Sequence, residues 1–121
     1  DYTSMYINYL SLYQKGDLEN SMVGFNELIK INNFHDLSDN CQYWIGEIYY
    51  KMKQYHIAIN EFNKVINEFQ NSNKIDDSMY QIANCYLKLG NKVQAEEFLF
   101  ALIDEYQDSE YVKKANYLLE K

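Results

Sequence analysis

The chain has 121 residues, 47% hydrophobic and 17% aromatic, enough to bury the core of one domain. Its formal charge of −7 and the lack of any Lys/Arg cluster longer than Lys113-Lys114 argue against a surface that tracks phosphates, and hence against a nucleic-acid partner. No apolar run reaches the ~18 residues of a membrane span, and without proline and with only four glycines the composition is that of helices joined by tight turns.

In chain order, one pattern governs everything: Tyr6, Tyr43, Tyr80 and Tyr117 recur every 37 residues. A fixed period of this size marks stacked supersecondary units. Gly16, Lys53 and Gly90 stand at bends in the same register. Small Ser21, Ala58 and Ala95 follow, then bulky Phe25, Phe62 and Leu99. The first unit, residues 1–35, departs at Tyr9, which stands where the second has Gly46, and this predicts a wider helix crossing or a frayed N-terminal unit. Asp17 is placed to cap its second helix.

The second unit, 36–72, places Cys41, Trp44, Ile45, Ile48, Tyr49 and Met52 at three- and four-residue steps, the stripe of an amphipathic helix. After Lys53-Gln54 a second helix carries Ile57, Ala58, Phe62, Val65, Ile66 and Phe69. So short a link folds the two antiparallel. Gly46 in mid-helix costs about 1 kcal/mol relative to alanine and so predicts a close helix crossing. The third unit, 73–109, repeats the scheme with Ile82, Ala83, Tyr86 and Leu89, a Gly90-Asn91 turn, then Val93, Ala95, Phe98, Leu99, Leu102 and Ile103. Asn91 and Gln94 have the spacing of a capping box. Residues 110–121 open a fourth unit through Ala115, Tyr117 and Leu118 and predict a capping helix with Tyr117 half-buried. Cys41 and Cys85 fall about 10 Å apart along the stack, too far for a disulfide, and are expected free and buried.

The helical hairpin with small residues at its crossings resembles the tetratricopeptide repeat, whose period is about 34 residues. More narrowly, Tyr43-Trp44-Ile45-Gly46-Glu47-Ile48-Tyr49-Tyr50, the run from Tyr55 to Phe62, Val65-Ile66 and Asn71-Ser72 are similar to the C-terminal repeat domain of the YbgF family, the periplasmic coordinator of the Tol-Pal system. Gly90, Ala95 and Asp108-Ser109 continue the likeness. The related domains carry a proline after the aromatic ending each second helix; Gln70 and Gln107 stand there instead, and turns at Asn71-Ser72 and Asp108-Ser109 are expected to serve. Outer-membrane assembly lipoproteins of the BamD type share the longer repeat.

The resemblance implies an all-α, right-handed superhelix of three antiparallel hairpins plus a C-terminal cap, forming one domain over 1–121 and monomeric in isolation. The family's N-terminal coiled coil is not in this sequence, and a start at Asp1 fits a mature fragment or excised domain. It implies a non-enzymatic module of the bacterial envelope that binds a protein or peptide segment and no small-molecule substrate, while the two free thiols keep a cytoplasmic location as the alternative. First helices line the concave face of such arrays. That puts Tyr6, Tyr43 and Tyr80 in the groove, with Leu10, Glu47 and Asn84 between them, Tyr13 and Tyr50 two turns on, and Lys51 and Lys88 at the edge. The competing reading is that the tyrosines pack between units. Tyrosine, leucine, glutamate, Asp77 and Gln81 replace the Lys/Asn/Arg set of a carboxylate clamp, so an apolar and basic partner fits better. Neither His35 nor His56 has a second metal ligand at proper spacing, and both read as surface residues. With no nucleophile–base pair or phosphate loop either, no cofactor or metal is expected.

Overall fold

The computed structural model describes residues 1–121 and holds seven helices and no strand. These are α1 (Tyr2–Gln14), α2 (Leu18–Ile31), α3 (Ser38–Lys51), α4 (Tyr55–Glu68), α5 (Ile75–Lys88), α6 (Lys92–Glu105) and α7 (Val112–Leu119). Each helix packs chiefly on its neighbours in the chain, giving three hairpins in series and a terminal helix. The bends are left-handed at Gly16 (φ 89°), Lys53 (φ 61°) and Gly90 (φ 78°), so the middle hairpin turns on a side-chain-bearing residue where its neighbours use glycine.

Capping is uneven. Asp1 and Asp17 accept from the Ser4 and Asn20 N–H groups, but Asn91 makes no side-chain cap bond, contrary to the capping box read from its spacing with Gln94. The Gly90 turn holds Asn91 through its own N–H, which donates to the Tyr86 carbonyl at 2.8 Å, so the turn is fixed by backbone alone. Ile57 and Val93, assigned to the dry stripes of α4 and α6, lie at first-turn positions that point outward and are exposed. Tyr117 is also exposed rather than half-buried, with the Lys121 ammonium 4.6 Å from its ring centre.

Two core clusters run along the stack. Tyr6, Phe25, Leu28, Cys41, Ile45 and Ile48 form one; Phe62, Val65, Ile82, Ala83, Leu99, Leu102 and others through Ala115 form the second, and Trp44 and Tyr49 pack against both. At Gly46 an added Cβ would stand 2.6 Å from the Phe62 ring, which confirms the close crossing. The first hairpin also has a tight crossing, despite Tyr9 at the place of Gly46. It inverts the arrangement: the Tyr9 ring lies over Gly24 of α2, 2.3 Å from where a Cβ would be, so the small residue has moved to the facing helix. Both thiols are free and buried.

The joints between hairpins show how the turn forms without proline. The Ser72 hydroxyl donates to Asp39 Oδ2 (2.5 Å) and Ser109 to Asp76 Oδ2 (2.6 Å), while each serine oxygen accepts a backbone N–H two residues on. One period earlier His35 does the same job by other means. Its Nδ1 accepts from the Leu37 N–H at 3.0 Å and its ring stacks on Tyr2 at 3.8 Å, so it is a partly buried joint residue, not a plain surface histidine.

Candidate protein-binding face

Helices α1, α3 and α5 stand side by side and form one wall of the stack, joined across by side chains rather than backbone. The tyrosine ladder lies in these seams. Tyr6 is buried, its ring 5.8 Å from Phe25, and its hydroxyl accepts from Trp44 Nε1 (2.9 Å) and Asn40 Nδ2 (3.3 Å). Tyr43 is buried against Phe62 (5.5 Å) and Trp44 (5.5 Å), with the Lys74 ammonium 5.3 Å from its centre. Tyr80 is half-buried and stacks on Tyr111 at 4.9 Å. For Tyr6 and Tyr43 the groove assignment is therefore corrected: a large ring at the contact of three helices gains more from burial than from exposure.

What remains open on this wall lies further along the helices. Tyr13 is half-buried, 5.0 Å from Trp44, with Lys51 Nζ 4.8 Å above its ring. Half-buried Tyr50 meets Tyr55 edge-on at 5.4 Å, and Lys51 and Lys88 are exposed. Leu10 packs partly buried on the first core cluster. Between the rings sits Glu47. Its carboxylate accepts from Gln81 Nε2, and Gln81 in turn accepts from Asn84 Nδ2 at 3.0 Å. Asp77 accepts from the Tyr111 hydroxyl at 2.9 Å.

Burial raises the Glu47 carboxyl above its ordinary value, the Asp77 charge adds to this, and the Gln81 hydrogen bond and Lys51 oppose it. Asp77 is raised for the same first reason. The Tyr13 phenol is pushed up to about 12 by burial and then by the Glu47 charge, and burial and then Glu47 also raise Tyr43. A half-buried negative centre thus lies among aromatic rings, an arrangement that attracts a cationic side chain by ion pairing and cation–π contact together.

Tyr111 and Trp44 were not assigned to this wall from the sequence, although a signal existed. Lys74 and Tyr111 are one period apart, and each covers the ladder tyrosine 31 residues before it. The thiols are poor nucleophiles: burial pushes both Cys41 and Cys85 up to about 12.

Comparison with known proteins places this geometry. Outer membrane protein assembly factor BamD of Rickettsia prowazekii (strain Madrid E) is 26% identical over 96 residues, which cover 79% of this chain and 38% of that protein, so the chain spans well under half of that relative's length. Among solved structures, the Yersinia enterocolitica type III secretion chaperone SycD in complex with a peptide of the translocator YopD superposes with a TM-score of 0.79 at 19% identity, covering 98% of this chain and 86% of the other. The TPR domain of Arabidopsis FLU gives 0.77 at 18%, covering 89% and 96%. These identities speak for a shared tetratricopeptide-type fold. The profile of the family described as anaphase-promoting complex, cyclosome, subunit 3 matches residues 14–102, and the chain belongs to that family of helical-repeat proteins.

Proposed function

We propose that the chain is a non-enzymatic interaction module that holds an extended, apolar and basic protein segment against the α1/α3/α5 wall. The observation that carries this reading is Glu47: a carboxylate half-buried among Tyr13, Tyr43 and Tyr50, raised by its own burial, gains a partner when a cationic side chain arrives. Tyr50, Tyr80, Asn84, Lys51 and Lys88 supply the surrounding contacts. The SycD complex with a translocator peptide supports segment binding by this fold.

The bacterial envelope is the proposed location, in a Tol-Pal coordinator role suggested by the YbgF-like motifs, with residues 1–121 acting as one monomeric domain. The BamD relative favours a second reading, a scaffold subunit of an outer-membrane assembly complex, in which helix edges dock on large neighbours.

Trp44, its ring tilted against Tyr13 at 5.0 Å, reports on the wall directly. A short proline-containing Lys/Leu peptide that stays extended should quench its fluorescence saturably. Glu47→Gln and Tyr50→Ala should each weaken binding about tenfold, a loss of about 1.4 kcal/mol. These positions serve as test sites because, unlike Tyr43, they can be changed without truncating a buried core ring. Unchanged affinity in both variants would refute the groove reading and leave the scaffold one.

A further inference from the structure

The opposite side of the stack holds a feature the wall does not use. Between α4 and α6, above the start of α5, a cleft of about 650 Å³ opens. Ile66, Met79, Phe98, Ala101 and Tyr106 give it an apolar surface, and Glu97 and Glu105 stand along α6 beside it. Eight residues of helix separate these two carboxylates, about 12 Å. Neither has a cation within reach, since the chain's one ion pair joins Lys64 to Glu61.

The preceding joint shows that stacking does not require such a cleft. One period earlier, Ser38, Gln42, Glu61 and Lys64 occupy the places of Ile75, Met79, Phe98 and Ala101. There Gln42 Nε2 donates to the Glu61 carbonyl (2.9 Å) and carboxylate (3.1 Å), Lys64 Nζ lies 3.0 Å from Glu61, and none of these four residues lines a cleft. Polar side chains close one joint. At the next, the same positions turn apolar and leave a trough beside two unpaired charges.

We propose that this cleft is a second docking site, for an amphipathic helix of a partner protein that carries apolar side chains on one face and Lys or Arg residues two turns apart. The apolar face fills the trough, as in other helix-in-groove complexes, and the two cations reach Glu97 and Glu105. A length of about 12 Å suits two to three helical turns. A second copy of this chain is a poorer occupant, because its net charge of −7 opposes approach to an acidic rim.

The probe is a stapled Leu/Lys helix of about three turns, compared with the same helix carrying Glu for Lys. Binding is followed through methyl NMR signals of Ile66, Met79 and Ala101. The Leu/Lys helix should shift these signals saturably. Glu97→Lys with Glu105→Lys, both exposed, should weaken binding about tenfold or more and leave capture of the extended peptide at Trp44 unchanged. Glu47→Gln should do the reverse. A triple change, Met79→Gln, Phe98→Glu and Ala101→Lys, rebuilds the closed joint and should abolish helix binding. Absence of saturable shifts, equal binding of the Leu/Glu helix, or shifts confined to residues around Tyr13 and Tyr50 would overturn the proposal. Sedimentation showing a second copy seated in the cleft and excluding the peptide would overturn the choice of occupant.

Discussion

Alanine at position 46 is the sharpest test of how these hairpins close. Its Cβ would lie 2.6 Å from two Phe62 ring carbons, where carbon atoms in contact prefer about 3.5–4.0 Å. About 1 Å must therefore come from a ring that is fully buried, or from separating α3 and α4. Overpacking costs about 1–3 kcal/mol, with a clash this deep against a fully buried ring in the upper part of that range, about 2–3 kcal/mol, and replacing a mid-helix glycine by alanine returns about 1 kcal/mol. The net expectation is a loss of about 1–2 kcal/mol, which lowers Tm by about 4–8 °C in a chain of this size. Gly46→Leu should cost more.

Gly24→Ala supplies the internal control. The clash there is closer, 2.3 Å, but Tyr9 is only half-buried and can swing toward solvent, so the loss should be smaller than at Gly46. Urea unfolding followed by far-ultraviolet circular dichroism, with midpoints compared at constant slope, measures both. A Gly46→Ala chain as stable as the parent, or a larger loss at Gly24, would refute the reasoning.

Three further outcomes are expected. The raised Glu47 and Asp77 carboxyls hold their protons in the folded state at pH values where the unfolded chain has released them. The stability they contribute is present below the unfolded value near about 4 and is lost as pH rises through their folded values. Glu47→Gln should therefore raise Tm at neutral pH and flatten its rise on acidification to pH ~5, as calorimetry across that range would show. Cys41 and Cys85, buried and with thiols pushed up to about 12, should resist a disulfide reagent in the native chain and react fully in denaturant; rapid native labelling would contradict their placement. Gln70→Pro should stabilise by about 0.4–1 kcal/mol in thermal melts, because the Gln70 N–H makes no backbone hydrogen bond and Phe69 (φ −127°, ψ 64°) already lies outside the helical region that proline forbids to its predecessor.

The 37-residue count and the three- and four-residue steps of Cys41 to Tyr49 made the hairpins legible from sequence, since helix periodicity and burial are both written in which residues are apolar. Gly46 was readable for the same reason: an unfavourable residue in mid-helix implies a contact that needs it. The exchange of Tyr9 for a glycine in the opposite helix was not, because the compensating Gly24 lies 15 residues away and obeys no repeat. The site was harder still. A tyrosine is equally suited to a seam or a groove, and only the covering residues, Lys74 over Tyr43 and Tyr111 over Tyr80, decide between them. Glu47 was legible as a position on the wall, but its burial depends on Gln81 from the next hairpin.

The mirrored placement of Tyr9 over Gly24 and Phe62 over Gly46 ties each first helix to its own second helix. If α4 were spliced after α1, Glu61 would meet the Tyr9 ring where Gly24 now yields to it; if α2 followed α3, Phe25 would take the place of Phe62 over Gly46, and Gly24 would leave Gln42 without the Glu61 carboxylate. Although the units share a length and a register, their helices are matched in pairs, and a chimera that joins α1 to α4 would lose its first hairpin.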